Sequence, residues 1–175
     1  MNITYKNRGM FLEKILNDSN TFYNKEGKAL IYKKPTPIKP LDVSYESRKT
    51  TYIKKAVFET ISTLDYNGVY KGKYIEFDAK ETKNKTSFPL SNIKTHQIDH
   101  IRNVLKHDGI IFLIIFMNDI FYLFDGKLLI DFISGFERKS IPYEYILDKG
   151  YKIEEKYSPR LDYLTIVDTV YFKED

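Results

Sequence analysis

The chain has no cysteine. That absence excludes disulfide frameworks, thiolate zinc sites and cysteine nucleophiles together, and it fits a reducing cytoplasm. Long apolar runs are scarce as well. The opening MNITYKNRGMFLEK has no apolar core of signal-peptide length, and the most apolar stretch, GIIFLIIFM from Gly109, is too short to span a bilayer. Neither export nor a membrane span is expected, and no repeat or low-complexity segment interrupts the chain.

What is present is a chain of 175 residues with 42% hydrophobic and 15% aromatic content, which suits one folded domain over 1–175 with a substantial core. The net charge of +4 is unevenly spread. Between Lys25 and Lys55 there are nine basic residues against three acidic ones, a local +6 that leaves the remainder at −2. Such a block points to a polyanionic partner. A solvated lysine-rich surface is the plain alternative.

Apolar residues at Leu12, Ile15, Leu16, Phe22 and Tyr23 predict a helix over 7–24, with Gly27 as its stop. ALIYK from Ala29 predicts a short strand. Pro35, Pro37 and Pro40 then forbid helix and a central strand position, so residues from about 34 to 58 are expected to protrude as an insertion. TYIKKAVFE predicts the returning strand, and Asn67-Gly68 and Lys71-Gly72 are turn signals between short β runs. A helix capped by Ser91 or Asn92 carries Ile93, Ile98, Ile101, Val104 and Leu105 to Gly109. GIIFLIIFM, apolar on both faces, predicts a central covered strand. IFYLFDG follows a turn at Asn118-Asp119, KLLIDFI predicts a third strand and YEYILD a short helix, while LDYLTIVDTVYF fits helix or strand. The fold class is α/β, a mixed sheet flanked by helices.

In YIEFDAKETK the period of two puts Glu76, Asp78 and Lys80 on one face and Ile75, Phe77 and Ala79 on the other. Asp65, in STLDYNG, lies thirteen positions before Asp78, a separation that a two-strand ribbon folds so that both carboxylates meet at one end of a sheet. Two hard oxygen donors suit Mg²⁺. Phosphodiester hydrolysis builds negative charge on phosphorus-bound oxygens, and a metal lowers the pKa of attacking water, so two acids and a lysine form a minimal kit for metal-assisted hydrolysis of a phosphate ester. On the residues alone, Asp65 serves equally as the first residue of a turn.

The strings DYNGVYKGKYIEFDAKETKNKTSFPL, NRGMFLEK, GKALIYKKPTPI, HQIDHI and SPRLDYL resemble the RecU family of Holliday-junction resolvases, within the PD-(D/E)xK nuclease superfamily, and cover almost the whole chain. The resemblance implies a restriction-endonuclease-like core with a protruding basic stalk. It implies a homodimer that resolves four-way junctions by symmetric hydrolysis in recombination and repair, with RecA as a further partner. It also implies a metal site at Thr63, Asp65, Asp78 and Gln97 for Mg²⁺, with Mn²⁺ as an alternative, and Lys80 as the group that stabilises the transition state. The family more often has Glu at the position of Asp78 and Asp at that of Glu76.

The same resemblance makes Arg8, Lys33, Lys34, Lys39, Arg48, Lys49, Lys54 and Lys55 contacts to DNA. Phosphate contacts of this kind supply affinity and orientation. A rival reading keeps the fold and stalk in a junction-binding architectural protein that cuts weakly or not at all. Glu76 is expected to be solvated or an indirect partner, and Glu13 either reaches the site from the first helix or, more commonly, stays an exposed helix acid. His96 and His100 in HQIDH have the spacing of a zinc-protease helix, but Gln97 stands where its general base belongs and no third ligand appears.

Overall fold

The run from Ile110 to Met117 lies within a six-stranded mixed sheet and explains the layering around it. The computed structural model describes residues 8–47, 50–59 and 63–172, without the side chains of 8–10 and 46–47. In chain order the elements are α1 (Arg8–Lys25), β1 (Leu30–Lys33), β2 (Ile38–Ser47), β3 (Thr50–Phe58), β4 (Tyr66–Tyr70), β5 (Lys73–Glu81) and β6 (Ser87–Pro89). There follow α2 (Thr95–Lys106), β7 (Ile110–Met117), β8 (Ile120–Asp125), α3 (Gly126–Gly135), β9 (Ser140–Pro142), α4 (Tyr143–Lys149), β10 (Tyr151–Ile153) and α5 (Tyr163–Tyr171). The sheet order is β1-β4-β5-β7-β8-β10. Only β5 and β7 run parallel within it; every other neighbouring pair is antiparallel.

Alternate residues of β7 enter opposite layers, which is why the strand is apolar on both faces. Phe112 and Ile114 pack with Leu12, Ile15 and Leu16 of α1 and Leu164 and Val167 of α5. Ile111, Leu113 and Ile115 pack with Ile101 and Val104 of α2, Leu129 and Phe132 of α3 and Ile146 of α4. The register sets Tyr66 beside Phe77 and Phe77 beside Phe112, and the three rings stack at centroid separations of 4.8 and 5.0 Å. Each such pair adds about 0.5–1.5 kcal/mol beyond burial. The stack fixes Phe77, and with it the facing of its neighbours Glu76 and Asp78.

The turn at Lys71-Gly72 forms as expected, with φ of +47° and +77°, and Asn118-Asp119 likewise turns at +52° and +60°. Asn67-Gly68 does not turn. Both residues lie inside β4, where glycine answers a steric demand: a Cβ on Gly68 would come within 1.9 Å of the Leu30 carbonyl oxygen. KLLIDFI is helix α3 rather than a strand, because Asp125 accepts hydrogen bonds from Lys127 N (2.8 Å) and Leu128 N (3.1 Å) and caps a helix there. LDYLTIVDTVYF resolves to α5. The helix α2 begins after Lys94, not at Ser91 or Asn92, since the Gln97 side chain closes that end by accepting from Lys94 N (3.1 Å).

The prolines fall where expected. Strands β2 and β3 pair only with each other, in a two-stranded ribbon separate from the large sheet, with register irregularities at Pro40/Asp42, Asp42/Val43 and Tyr45/Ser47. A two-stranded ribbon has two free edges, so Pro40 sits in a strand without depriving a central ladder of a donor.

Candidate active site

Strand β5 carries the opening of the site. Its faces alternate as the sequence requires, but the charged face is not solvated: Glu76 is 0% and Asp78 1% exposed. Both are covered by α2 and by the segment leading into β4. Asp78 Oδ1 accepts from Ala79 N (2.9 Å), while Oδ2 receives Lys80 Nζ (2.7 Å) and Gln97 Nε2 (2.8 Å). Lys80 Nζ also lies 3.5 Å from Gln97 Oε1. Carboxylate, ammonium and amide thus close a triangle between β5 and the first turn of α2.

Asp65 precedes β4, one position before the Tyr66–Phe77 pair, so continuing the register sets it opposite Asp78. The two acids feel one another. Burial pushes the Asp78 carboxyl above its ordinary value of 3.8, the Lys80 ammonium pulls it back, and the Asp65 charge raises it again. Asp65 also lines a cavity of about 220 Å³ with Leu12, Glu13, Lys33, Tyr66, Ala79 and Glu81. Glu13 is therefore not simply an exposed helix acid: it borders this cavity and pairs with Lys33 at 2.6 Å. Thr63 is half-buried two residues ahead of Asp65, and no hydrogen bond joins it to Asp78 among the described residues.

Glu76 departs most from expectation. Its carboxylate is fully buried and bound from three directions, by Lys34 Nζ, by Leu64 N at 3.1 Å and by His100 Nε2 at 2.6 Å. Lys34, grouped with the stalk cations on sequence, turns inward instead, its ammonium paired with the buried carboxylate of Glu76. Lys39, Lys54 and Lys55 do lie on the exposed ribbon. Arg48 and Lys49 fall outside the described residues, as does the side chain of Arg8, whose backbone opens α1.

The family model for recombination protein U, RecU, matches residues 7–169. This chain belongs to the RecU family. RecU-family relatives named Holliday junction resolvase RecU include those of Bacillus mycoides (strain KBAB4) and Bacillus cereus (strain G9842), each 50% identical to it over 174 residues. That of Bacillus anthracis is 49% identical, and all three alignments cover 97% of this chain and 87% of the relative.

Within this RecU-family site, the donor chemistry suits a hard divalent cation in one respect and constrains it in another. Asp65 and Asp78 set two carboxyl groups against the single ammonium of Lys80, and carboxylate oxygens are what such a cation takes. Gln97, however, points its amide nitrogen at Asp78 and its oxygen at Lys94 N, so it ligates only if the amide turns. Among the described residues no group of three or more His, Asp or Glu side chains is disposed to hold a metal, which leaves the zinc reading of His96 and His100 without a ligand set. The Glu76 hub had a sequence signal of its own: Gln97 and His100 are three apart on a helix and share a face, as Glu76 and Asp78 do on a strand.

Proposed function

We propose that this chain is a structure-specific endonuclease that binds four-way DNA junctions and resolves them by metal-dependent phosphodiester hydrolysis in recombination and repair. The observation that carries the reading is the Asp78–Lys80–Gln97 triangle with Asp65 alongside, on a RecU-family scaffold. Asp65 and Asp78 would hold Mg²⁺ or Mn²⁺, joined by the Gln97 oxygen after the amide turns and by Thr63. When bound, the ion supplies an acidified water and a charge for the phosphate oxygens.

The chain's own groups account for the rest. Lys80 is 19% exposed at its side chain, enough to face a substrate while Asp78 keeps its ammonium in place. A fixed cation there meets the charge that grows on the phosphoryl oxygens during attack. Before the amide turns, Gln97 aligns Asp78 through its amide hydrogens. The sheet, with its charged end on β5, serves as the PD-(D/E)xK core of a single nuclease domain, and β2–β3 as the stalk.

Lys39, Lys54 and Lys55, with Arg48, Lys49, Lys33 and Arg8, supply phosphate contacts that orient the junction. A four-way junction offers paired, equivalent phosphodiesters, and a two-fold homodimer presents paired, equivalent sites to them. RecA is a further protein partner in this reading, and the bacterial cytoplasm its setting.

The test is cutting of a synthetic mobile junction in Mg²⁺ by the wild-type chain, Asp78→Ala and Lys80→Ala. Wild type should cut symmetrically, both variants should still bind, and Lys80→Ala should cut about 10²- to 10³-fold more slowly. Binding without cutting by all three would replace the nuclease with an architectural protein. Equal cutting of linear duplex and junction would remove the structure specificity.

A further inference from the structure

We infer that Glu76 is a positioning residue: one buried carboxylate sets the relative placement of the three chain segments that carry the candidate catalytic groups. The inference rests on the nuclease reading and adds to it a residue that touches neither metal nor substrate.

A fully buried carboxylate is tolerated only where donors compensate its lost hydration. Among the described residues Glu76 has three within hydrogen-bond distance, and each belongs to a different segment. Leu64 N adjoins Asp65. His100 stands one helical turn beyond Gln97 on the same face of α2. Lys34 follows β1 immediately, and its backbone N also donates to the Asp65 carbonyl oxygen at 2.7 Å. Glu76 itself shares a face of β5 with Asp78 and Lys80.

An ordinary structural ion pair would tie two elements at one point. Here Leu64 is the chain neighbour of Asp65, His100 shares a helix face with Gln97, and Lys34 is hydrogen-bonded through its backbone to Asp65, so the carboxylate fixes Asp65 against Asp78 and Gln97 against both. Lys34 has a second consequence. It begins the connection into β2, so the root of the ribbon and the acids of the site are bound to the same side chain.

Loss of this carboxylate should therefore loosen catalytic geometry without removing any group that meets DNA on the ribbon. Removing partners that orient ligating groups costs about 10- to 100-fold in metal affinity or activity. Two variants separate that from a loss of folding. Glu76→Gln keeps the shape and removes the charge. His100→Ala alters a 22%-exposed side chain and leaves the carboxylate with two donors.

The readouts are the cutting rate at saturating enzyme, junction affinity in the absence of divalent ions, Mn²⁺ binding followed by electron paramagnetic resonance without DNA, and thermal unfolding. Glu76→Gln should cut about 10- to 100-fold more slowly and bind Mn²⁺ more weakly, with junction affinity unchanged. His100→Ala should move the same two readouts in the same direction by less, at temperatures where it is fully folded. Should Glu76→Gln fail to fold, His100→Ala decides alone. Folded variants that cut and bind Mn²⁺ like wild type overturn the inference while leaving the nuclease reading intact. A wild-type chain that binds junctions and never cuts them overturns both.

Discussion

Strands β2 and β5 are of nearly equal length, ten and nine residues, and they distribute polarity in opposite ways. On β5 the carboxylates of Glu76 and Asp78 are inside and bound on every side. On the β2–β3 ribbon the large apolar groups are outside, Tyr45 at 78% and Phe58 at 81% exposure, with Leu41, Tyr52, Ile53 and Val57 also in solvent. A lone two-stranded ribbon has no second layer to bury against and is marginal by itself, so its apolar face stays exposed. In the function proposed above, chemistry falls where packing holds every atom, and contact with DNA where packing holds almost none.

The largest effect expected on this contrast comes from Gly68→Ala. The new Cβ would press on the Leu30 backbone, which cannot move aside as a flexible side chain does. Pairing of β1 with β4 should fail, taking with it the Lys34–Asp65 backbone bond at the root of the ribbon, at a cost above about 3 kcal/mol by urea unfolding. A stability within error of wild type would show that β1 does not pack against β4 as closely as this. Next is excision of the ribbon, residues 38–58, with a short linker. Cooperative unfolding should persist, since the two core layers contain none of those residues, while junction affinity falls by roughly 10²-fold. If unfolding broadens, the ribbon is part of the core after all.

How far the sequence disclosed this division depends on whether a signal was local. Strand β7 and the turns at Lys71-Gly72 and Asn118-Asp119 are local signals, and each produced the expected element; Pro35, Pro37 and Pro40 are local too, and they lie in no helix and no central strand. Asp78, Lys80 and Gln97 do converge, but only the alternation along β5 was readable from spacing; Gln97 came through the family resemblance, because a neutral amide on a distant helix leaves no periodic trace. Asn67-Gly68 misled because the same dipeptide serves a turn and a close approach of two backbones. KLLIDFI misled because its helix depends on a cap outside that string, Asp125, which accepts from Lys127 N and Leu128 N. For Glu76 the sequence left solvation and an indirect role open, and burial removes the first; the Gln97–His100 spacing marks one helix face, but nothing local announces Lys34.

Lys34 also gives the comparison a sharper form. Replacing Lys39, Lys54 and Lys55 together by Gln should reduce the log–log salt slope of junction binding by up to about three, with the cutting rate of bound junction unchanged. Lys34→Gln should do the reverse, leaving the slope where it was and slowing cutting, because its ammonium faces Glu76. If both variants flatten the slope alike, Lys34 leaves the site to meet DNA, and the inward orientation is not the one that binds a junction.

The smallest effect lies on the opposite face of the sheet, in the contact that joins α1 to α5. Burial pushes the Asp162 carboxyl up, but hydrogen bonds from Lys156 (2.8 Å), Thr165 (3.0 Å) and Tyr23 (3.1 Å) outweigh it and hold the group below its ordinary 3.8. A carboxyl depressed in the folded state binds fewer protons there than in the unfolded chain, so its contribution is complete above the unfolded value and is lost as pH falls through the folded one. Asp162→Asn should thus be less stable than wild type near neutral pH, by at most about 1 kcal/mol given the exposed Lys156 partner, and the gap should close below about pH 4. Excising the ribbon should leave that pH dependence as it is. A gap that widens on acidification would mean that Asp162 carries its proton more tightly folded than unfolded, and that the bonds from Lys156, Thr165 and Tyr23 do not outweigh its burial.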